Sequence, residues 1–229
     1  NKLKGTLIII PIANVASFYK RTPFINPIDQ KNLNNAFPGS KTGTITDQLA
    51  SFITTEVIAN TNVFLDIHGG DANEDLLPFV CFYDRKDTPM QTAKAKELSE
   101  KSGFNHVVSY PYTLKATDAS KYAFKEATQR GITALSIEAG KLGNVQQDNV
   151  MAIKKAVYQM LSTMKMYSVE NKSTDKPIFL NNQIYVRVPE SGLFFSQLKS
   201  GDKVKKGDVL GYITDELANK KVEIKADES

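Results

Sequence analysis

One histidine stands at a position where enzymes often place reactive groups. His68 follows the apolar residues 63–65 and is succeeded at once by Gly69 and Gly70. The apolar run predicts a buried strand, and α/β enzymes carry much of their chemistry where such strands end. A neutral imidazole at that point is a suitable zinc ligand. A structural histidine held by hydrogen bonds is the alternative.

A carboxylate ends a second apolar run. Glu138 follows the apolar-rich residues 134–137 and precedes Ala139 and Gly140. Near an activated water, such a carboxylate can act as general base and then as general acid to a leaving amine. The structural alternatives are that Glu138 caps Gly140 or pairs with Lys141. Both Glu138 and His68 are expected at strand ends on one rim of a sheet, opening on a common cleft.

Two further side chains could assist them. Asp66 lies two residues before His68, so both share one face of the predicted strand, and Asp66 could orient the imidazole. It could equally accept a hydrogen bond at the strand end. Arg21 precedes a long loop rich in Asn, Pro and Gly. Its guanidinium suits an oxyanion or a substrate carboxylate, although a surface role fits it as well.

Four segments, in order, carry a family resemblance. They are Ile8-Ile9-Ile10-Pro11-Ile12-Ala13-Asn14, the loop 26–39 with Asn32-Leu33-Asn34-Asn35-Ala36-Phe37-Pro38-Gly39, the segment Asp66-Ile67-His68-Gly69, and the strand end Glu138-Ala139-Gly140. Over about residues 5–165 the chain resembles the zinc carboxypeptidase superfamily, and within it the succinylglutamate desuccinylase/aspartoacylase branch.

The resemblance implies a zinc-dependent hydrolase of an amide bond. His68 would be a metal ligand, Glu138 the catalytic base, and Arg21, Asn34 and Asn35 substrate-binding residues. The implied substrate is a small N-acyl amino acid for a deacylase, or a peptide C-terminus for a carboxypeptidase. The rival interpretation is a non-catalytic binding module that keeps the fold without the metal.

The chain departs from the family pattern in two places. The family has a His-x-x-Glu metal motif ahead of the Ile-rich run, and no such motif occurs here. We therefore expect one zinc ion whose remaining ligands lie upstream of Asn1; loss of the metal is the alternative. The other histidine, His106, is expected to be structural. Asn35 stands where the family has an arginine that grips a substrate carboxylate, and an amide supplies no charge. Possible replacements are Tyr110, Tyr112, Lys115 and Arg130.

The pattern of elements predicts an α/β fold with a largely parallel or mixed sheet flanked by helices in residues 1–167. The resemblance implies that this is a mixed sheet of the zinc carboxypeptidase-like type. A polar linker, 168–176, and a small β-rich module resembling barrel-sandwich domains, 177–229, follow. Strands are predicted at 6–10, 63–67, 79–83, 106–110, 134–137, 184–188, 192–195 and 209–213. Helices are predicted at 46–59, 88–102, 122–129 and 148–166.

Composition narrows the classes of partner. The formal net charge is +4, and Lys and Arg are spread among Asp and Glu along the whole chain. This argues against nucleic-acid binding, which needs clustered basic residues. No apolar stretch is long enough to span a bilayer, so no membrane partner is expected. Cys81 is the only cysteine and reads as a buried apolar residue. We expect a cytoplasmic protein, and the sequence leaves both a monomer and a homo-oligomer open.

Overall fold

Five short strands form the sheet of the first part of the molecule. The computed structural model describes residues 3–71, 73–169 and 176–228. The strands are β1 Val63–His68, β2 Phe79–Asp84, β3 His106–Pro111, β4 Thr133–Glu138 and β5 Ile178–Leu180, in the order β1-β4-β2-β3-β5. β1 and β4 are parallel, β2, β3 and β5 are parallel, and β2 runs antiparallel to β4. The predicted mixed sheet is confirmed.

Five helices accompany these strands in the described part of the chain: α1 Val15–Lys20, α2 Ile45–Phe52, α3 Pro89–Glu100, α4 Ala123–Gln129 and α5 Gln147–Thr163. α2 continues into a π turn, Ile53–Val57, and a 3-10 turn, Ile58–Asn60. α3 starts with Pro89, whose missing N–H is not needed in the first turn. The four helices expected from apolar periodicity are therefore present, with ends shifted by a few residues.

Alternate residues of each strand face opposite sides of the sheet, and each side has its own core. One core, the α3/α5 face, joins strand residues such as Val80, Leu135 and Ile137 to Leu98 and Met160 of the helices. The other, the α2/α4 face, comprises Phe37, Ala50, Ile53, Ile58, Cys81, Tyr83, Ala123, Phe124, Ala127 and Ala134. The strands are apolar on both faces because both faces are covered.

The predicted buried strand at residues 6–10 is wrong. Leu7, Ile8, Ile9 and Ile10 are extended but belong to no strand, and they are between 42% and 69% exposed. An extended segment becomes a strand only when a neighbour supplies its hydrogen bonds. Within the described residues no such neighbour pairs with this run, and the edge strands of the sheet are β1 and β5.

The chain divides into two units, Asn1–Asn181 and Asn182–Ser229. The sequence-based boundary differs, because it assigned residues from 177 onward to the second unit, whereas β5 pairs with β3 in the first. Most of the predicted linker, residues 170–175, lies outside the described residues.

The second unit is a three-stranded antiparallel sheet, β6 Leu193–Ser196, β7 Val209–Thr214 and β8 Lys220–Lys225, in that order. The expected β-rich module is confirmed, although residues 184–188 are not a strand. Ile213 and Ile224 are buried in it. Among the helices that the structure describes, none has the length and apolarity needed to cross a membrane.

Candidate active site

The register of β1 and β4 brings His68 and Glu138 side by side. They are Cα partners on neighbouring parallel strands, and each is the last residue of its strand. Four residues earlier on the same strands, Phe64 and Ala134 belong to the α2/α4 core. Because strand side chains alternate, His68 and Glu138 extend toward that same face. The predicted shared rim is confirmed.

A polar layer lies directly beneath them. Asp66 of β1 is the partner of Ser136 of β4, and Ser136 is in turn the partner of Cys81 on β2. Ser136 and Cys81 are fully buried. Asp66 and Ser136 stand two residues before His68 and Glu138, and Cys81 pairs with Ser136. All five side chains therefore lie on the same side of the sheet.

His68 is held by a carboxylate. Its Nε2 lies 3.3 Å from Oδ2 of Asp66, and a third of the imidazole is exposed. Oδ2 is shielded from solvent and accepts no aligned hydrogen bond from a described residue, so the contact is an ion pair. Burial lowers the pKa of His68, but the contact with Asp66 and the charges of Glu138 and Asp71 raise it, to about 9. The imidazole therefore carries a positive charge at neutral pH.

Glu138 is held by a hydroxyl. Ser136 Oγ donates a hydrogen bond to Oε1 of Glu138 over 3.0 Å. Burial raises the pKa of Glu138, the charge of His68 and the Ser136 hydrogen bond lower it, and the net direction is upward from its ordinary value. A carboxylate whose pKa is raised toward neutrality is a better match to a general base at physiological pH.

The loops after the two strands fix the rim. The Ala139 N–H donates to the His68 carbonyl over 3.1 Å, and the Gly143 N–H donates to the Gly70 carbonyl over 3.0 Å. A Cβ on Gly70 would lie 2.6 Å from the Gly140 carbonyl oxygen, so glycine is required there by close backbone approach. The glycines that follow His68 and Glu138 therefore pack against each other.

Two more carboxylates lie near the pair formed by His68 and Glu138. The Asp71 N–H donates to Oε2 of Glu74 over 2.8 Å. Burial, followed by the charge of Glu74, raises the pKa of Asp71, while His68 lowers it. The rim is thus acidic around one histidine. Sequence reasoning missed Asp71, Glu74 and Ser136. The signal for Ser136 was its spacing of two from Glu138, and for the others the acidic loop after Gly70.

The described residues do not complete a zinc site. A catalytic zinc ion needs about three protein donors. His68 is one, and the described part of the chain contains no group of three or more His, Cys, Asp or Glu side chains arranged to hold a metal. The other histidine, His106, starts β3 and pairs with Ile178.

The predicted substrate-binding residues lie in the segment before α2. Asn34 and Asn35 form a 3-10 turn, Leu33–Asn35, in which the Asn34 N–H bonds Oδ1 of Asn32 over 2.8 Å. Leu33, Ala36 and Phe37 pack in the α2/α4 core. This anchors the turn on the face of the sheet that carries His68 and Glu138. Asn34 is half-buried and Asn35 exposed.

Arg21 is less well placed by the structure. It caps α1 in a left-handed conformation, and its N–H donates to the Phe18 carbonyl over 3.3 Å. Its side chain is exposed. Among the described residues, no hydrogen bond or ion pair joins the side chains of Arg21, Asn34 or Asn35 to His68 or Glu138.

The possible replacements for the family arginine lie elsewhere. β3 runs parallel to β2, whose first residue pairs with Glu138, so the end of β3 that carries Tyr110 lies at the opposite rim. Tyr112 donates to Gln129 Oε1 over 2.9 Å, and Arg130 pairs with Glu126 over 2.6 Å. Lys115 follows the same end of β3. These residues are not brought to the rim of His68.

A mixed sheet with a paired histidine and glutamate at one rim, beside an Asn-rich turn, is the arrangement expected of a zinc carboxypeptidase-like protein. Residues 1–164 match the sequence model of the succinylglutamate desuccinylase/aspartoacylase catalytic domain, and the chain belongs to this family.

Several known proteins are similar to this chain. A curated relative, the N-alpha-acetyl-L-2,4-diaminobutyric acid deacetylase of Halomonas elongata, is 25% identical over 219 residues, covering 93% of this chain and 62% of the relative. The chain thus spans less than two thirds of that relative's length.

Solved structures share the fold. A succinylglutamate desuccinylase/aspartoacylase from Rhodobacter sphaeroides superposes with a TM-score of 0.87 at 22% identity, covering 99% of this chain and 69% of that one. The product-bound ectoine utilization protein EutE (DoeB) from Ruegeria pomeroyi gives a TM-score of 0.85 at 23% identity, with the same coverage. At these identities the likeness establishes the fold.

Proposed function

We propose that the protein is a deacylase that hydrolyses the amide bond of a small N-acyl amino acid. The observation that carries the proposal is the pairing of Glu138 with His68 at one rim, with the Glu138 carboxylate held by Ser136. Membership of the desuccinylase/aspartoacylase family supports it, as does the deacetylase named above.

In this proposal Glu138 moves the proton. It takes a proton from the attacking water as the water oxygen bonds to the amide carbon. It then gives that proton to the nitrogen as the carbon–nitrogen bond breaks, which yields a carboxylic acid and an amine. Acid–base catalysis by a positioned side chain contributes roughly 10²–10⁴ in rate.

His68 is proposed as a metal ligand, with Asp66 orienting it through Nε2. To bind a cation, the imidazole must first lose the proton that its raised pKa retains. The described residues offer a metal ion the imidazole of His68 but no cluster of three donors. The proton transfer proposed for Glu138 is therefore described through the side chains of this chain alone. That His68 holds one zinc ion is part of this proposal.

We propose that the substrate carries a cationic side chain. Asn35 replaces the arginine that would grip a second carboxylate, and the rim carries Asp66, Asp71 and Glu74 around a single histidine. Such an environment favours an amine over an acid. Asn34, Asn35 and Arg21 are proposed to bind the α-carboxylate that every N-acyl amino acid carries. An N-acyl diamino acid, as in the name of the Halomonas relative, fits both requirements.

Substrate profiling tests the proposal. Released amine is measured for N-acetyl-2,4-diaminobutyrate, N-acetylaspartate, N-succinylglutamate and a short peptide, with the zinc content of each sample determined. Fastest turnover of the diamino compound supports the proposal. Preference for the peptide C-terminus would establish the carboxypeptidase alternative. Zinc-loaded protein that binds these compounds without turnover would overturn the deacylase and leave a binding module.

A further inference from the structure

We propose that Ser136 is a positioning residue, which holds the Glu138 carboxylate where proton transfer requires it. The proposal rests on the proposed role of Glu138 and deepens it. Glu138 ends β4, where the loop that follows fixes its backbone but leaves the several rotatable bonds of its side chain. Ser136 is fully buried within the strand, and its hydroxyl reaches Oε1 of Glu138 over 3.0 Å.

The backbone at Ser136 is fixed from both sides. Asp66 of β1 pairs with it on one side and Cys81 of β2 on the other. A hydroxyl on a central strand of a sheet is a rigid reference point, whereas the glutamate side chain has several rotatable bonds. The hydrogen bond therefore restricts the position of the Glu138 carboxylate relative to the sheet.

The hydroxyl proton is directed to Glu138 because the other groups around it are poorer acceptors. Oδ2 of Asp66 accepts no hydrogen bond from a described residue. Burial raises the pKa of the Cys81 thiol well above its ordinary value, despite the hydrogen bonds of Ser136 that lower it, so the sulfur stays protonated and is a weak acceptor. The Glu138 carboxylate is the strongest acceptor within reach.

Removal of this hydroxyl is expected to affect turnover more than substrate binding. In Ser136→Ala, kcat is expected to fall about tenfold to 100-fold, because displacement of a catalytic group by about 1 Å has effects of that order. KM is expected to change less than about twofold. Ser136→Thr keeps the hydroxyl and suits a strand, so it should recover most of kcat.

Ser99→Ala is the matched control. Ser99 is also a fully buried serine, and its hydroxyl donates to the Ala95 carbonyl within α3 over 2.8 Å. Its substitution removes the same atoms and one buried hydrogen bond, but leaves Glu138 untouched. It should lower the melting temperature while kcat stays near the wild-type value.

Crystal structures of the variants give a readout independent of activity. In Ser136→Ala, Oε1 of Glu138 should leave its place or divide between rotamers; in Ser136→Thr and Ser99→Ala it should not. If the wild-type protein hydrolyses no N-acyl amino acid, the proposed function fails while this structural readout still tests the hydrogen bond. A Ser136→Ala kcat within twofold of wild type, an equal loss in Ser99→Ala, or an unmoved Glu138 carboxylate would overturn the positioning role.

Discussion

At the rim, the imidazole of His68 stands among several carboxylates. His68 is cationic because its carboxylate neighbours outweigh the effect of burial, and Glu138 is more basic than an exposed glutamate because burial outweighs its two stabilising partners. Both pKa values are raised, but for different reasons: burial opposes the rise at His68 and causes it at Glu138.

Replacement of Glu138 by glutamine tests its proton-transfer role. In the active protein, Glu138→Gln is expected to reduce kcat by roughly 10²–10⁴, because the amide keeps the size but cannot take a proton. Turnover and melting temperature are measured together. Glu126→Gln is the control, since Glu126 is a buried glutamate bonded to Ser120 and Arg130 over 2.6 Å each. It should lose stability and keep kcat. Near-normal turnover in Glu138→Gln would remove Glu138 from the mechanism.

The charge of His68 makes stability depend on pH. Its folded pKa, about 9, is raised above the ordinary value of 6.5. The stabilisation is fully present below the unfolded pKa and is lost as pH rises through about 9. With a third of the ring exposed and solvent screening the pair, the loss is on the order of 1 kcal/mol.

Denaturant titrations from pH 6 to pH 10, with a chelator present, measure this loss. In His68→Gln, the free energy of unfolding should no longer fall as the pH rises through about 9. In the control His106→Gln, that fall should remain. A histidine NMR titration with a His68 midpoint at or below 6.5 would contradict the assignment.

Among the structural elements, the rim depends on glycines more than on the strands themselves. The loops after β1 and β4 approach so closely that a Cβ at Gly70 would meet the Gly140 carbonyl oxygen at 2.6 Å, whereas a Cβ at Gly69 would meet only the Ala139 carbonyl oxygen at 3.8 Å. Gly70 and Gly69 can therefore serve as a test position and its matched control.

Gly70→Ala is expected to lower the free energy of unfolding by about 1–3 kcal/mol, because overpacking against backbone cannot be relieved by rotating a side chain. Gly69→Ala should change it by less than about 1 kcal/mol. Urea unfolding of both variants measures the difference. Equal stabilities would show that the Gly70 loop moves freely away from the strand end of β4.

The elements that could be predicted from sequence are those whose pattern is local. β1 and β4 are recognisable because each contains a short apolar run, and α5 shows helical periodicity. Pairing is not local. The run at 6–10 is as apolar as β4 yet lies exposed, and the three residues of β5 carry too little pattern to reveal that they join the first sheet.

The site was predictable to the same extent. His68 and Glu138 stand out because a polar residue ends each apolar run. The register that makes His68 and Glu138 neighbours depends on strand pairing, which cannot be read from the sequence. The same holds for the approach of Asp71 and Glu74. The roles of Arg21, Asn34 and Asn35 stay predictions, since the structure fixes their backbone positions and shows no contact that tests their chemistry.

At the scale of the whole molecule, the candidate site joins residues of β1 and β4, two neighbouring strands that are distant in sequence. The sheet supplies rigidity, the α2/α4 core anchors the Asn34–Asn35 turn, and the rim loops supply the acidic residues. The second unit contributes none of the site residues named above. The described residues do not supply all the donors that a zinc ion needs.

Metal content is therefore expected to depend on residues beyond His68. The 229-residue chain should retain little or no zinc after gel filtration, because one histidine is a weak site and is protonated at neutral pH. A longer chain that carries a His-x-x-Glu motif upstream of Asn1 should retain one ion. Elemental analysis of both measures the difference. In the longer chain His68→Ala should lose the ion, and His106→Ala should keep it because His106 lies two strands from Glu138. Stoichiometric, tightly held zinc in the 229-residue chain would mean that donors other than the single rim histidine bind the metal.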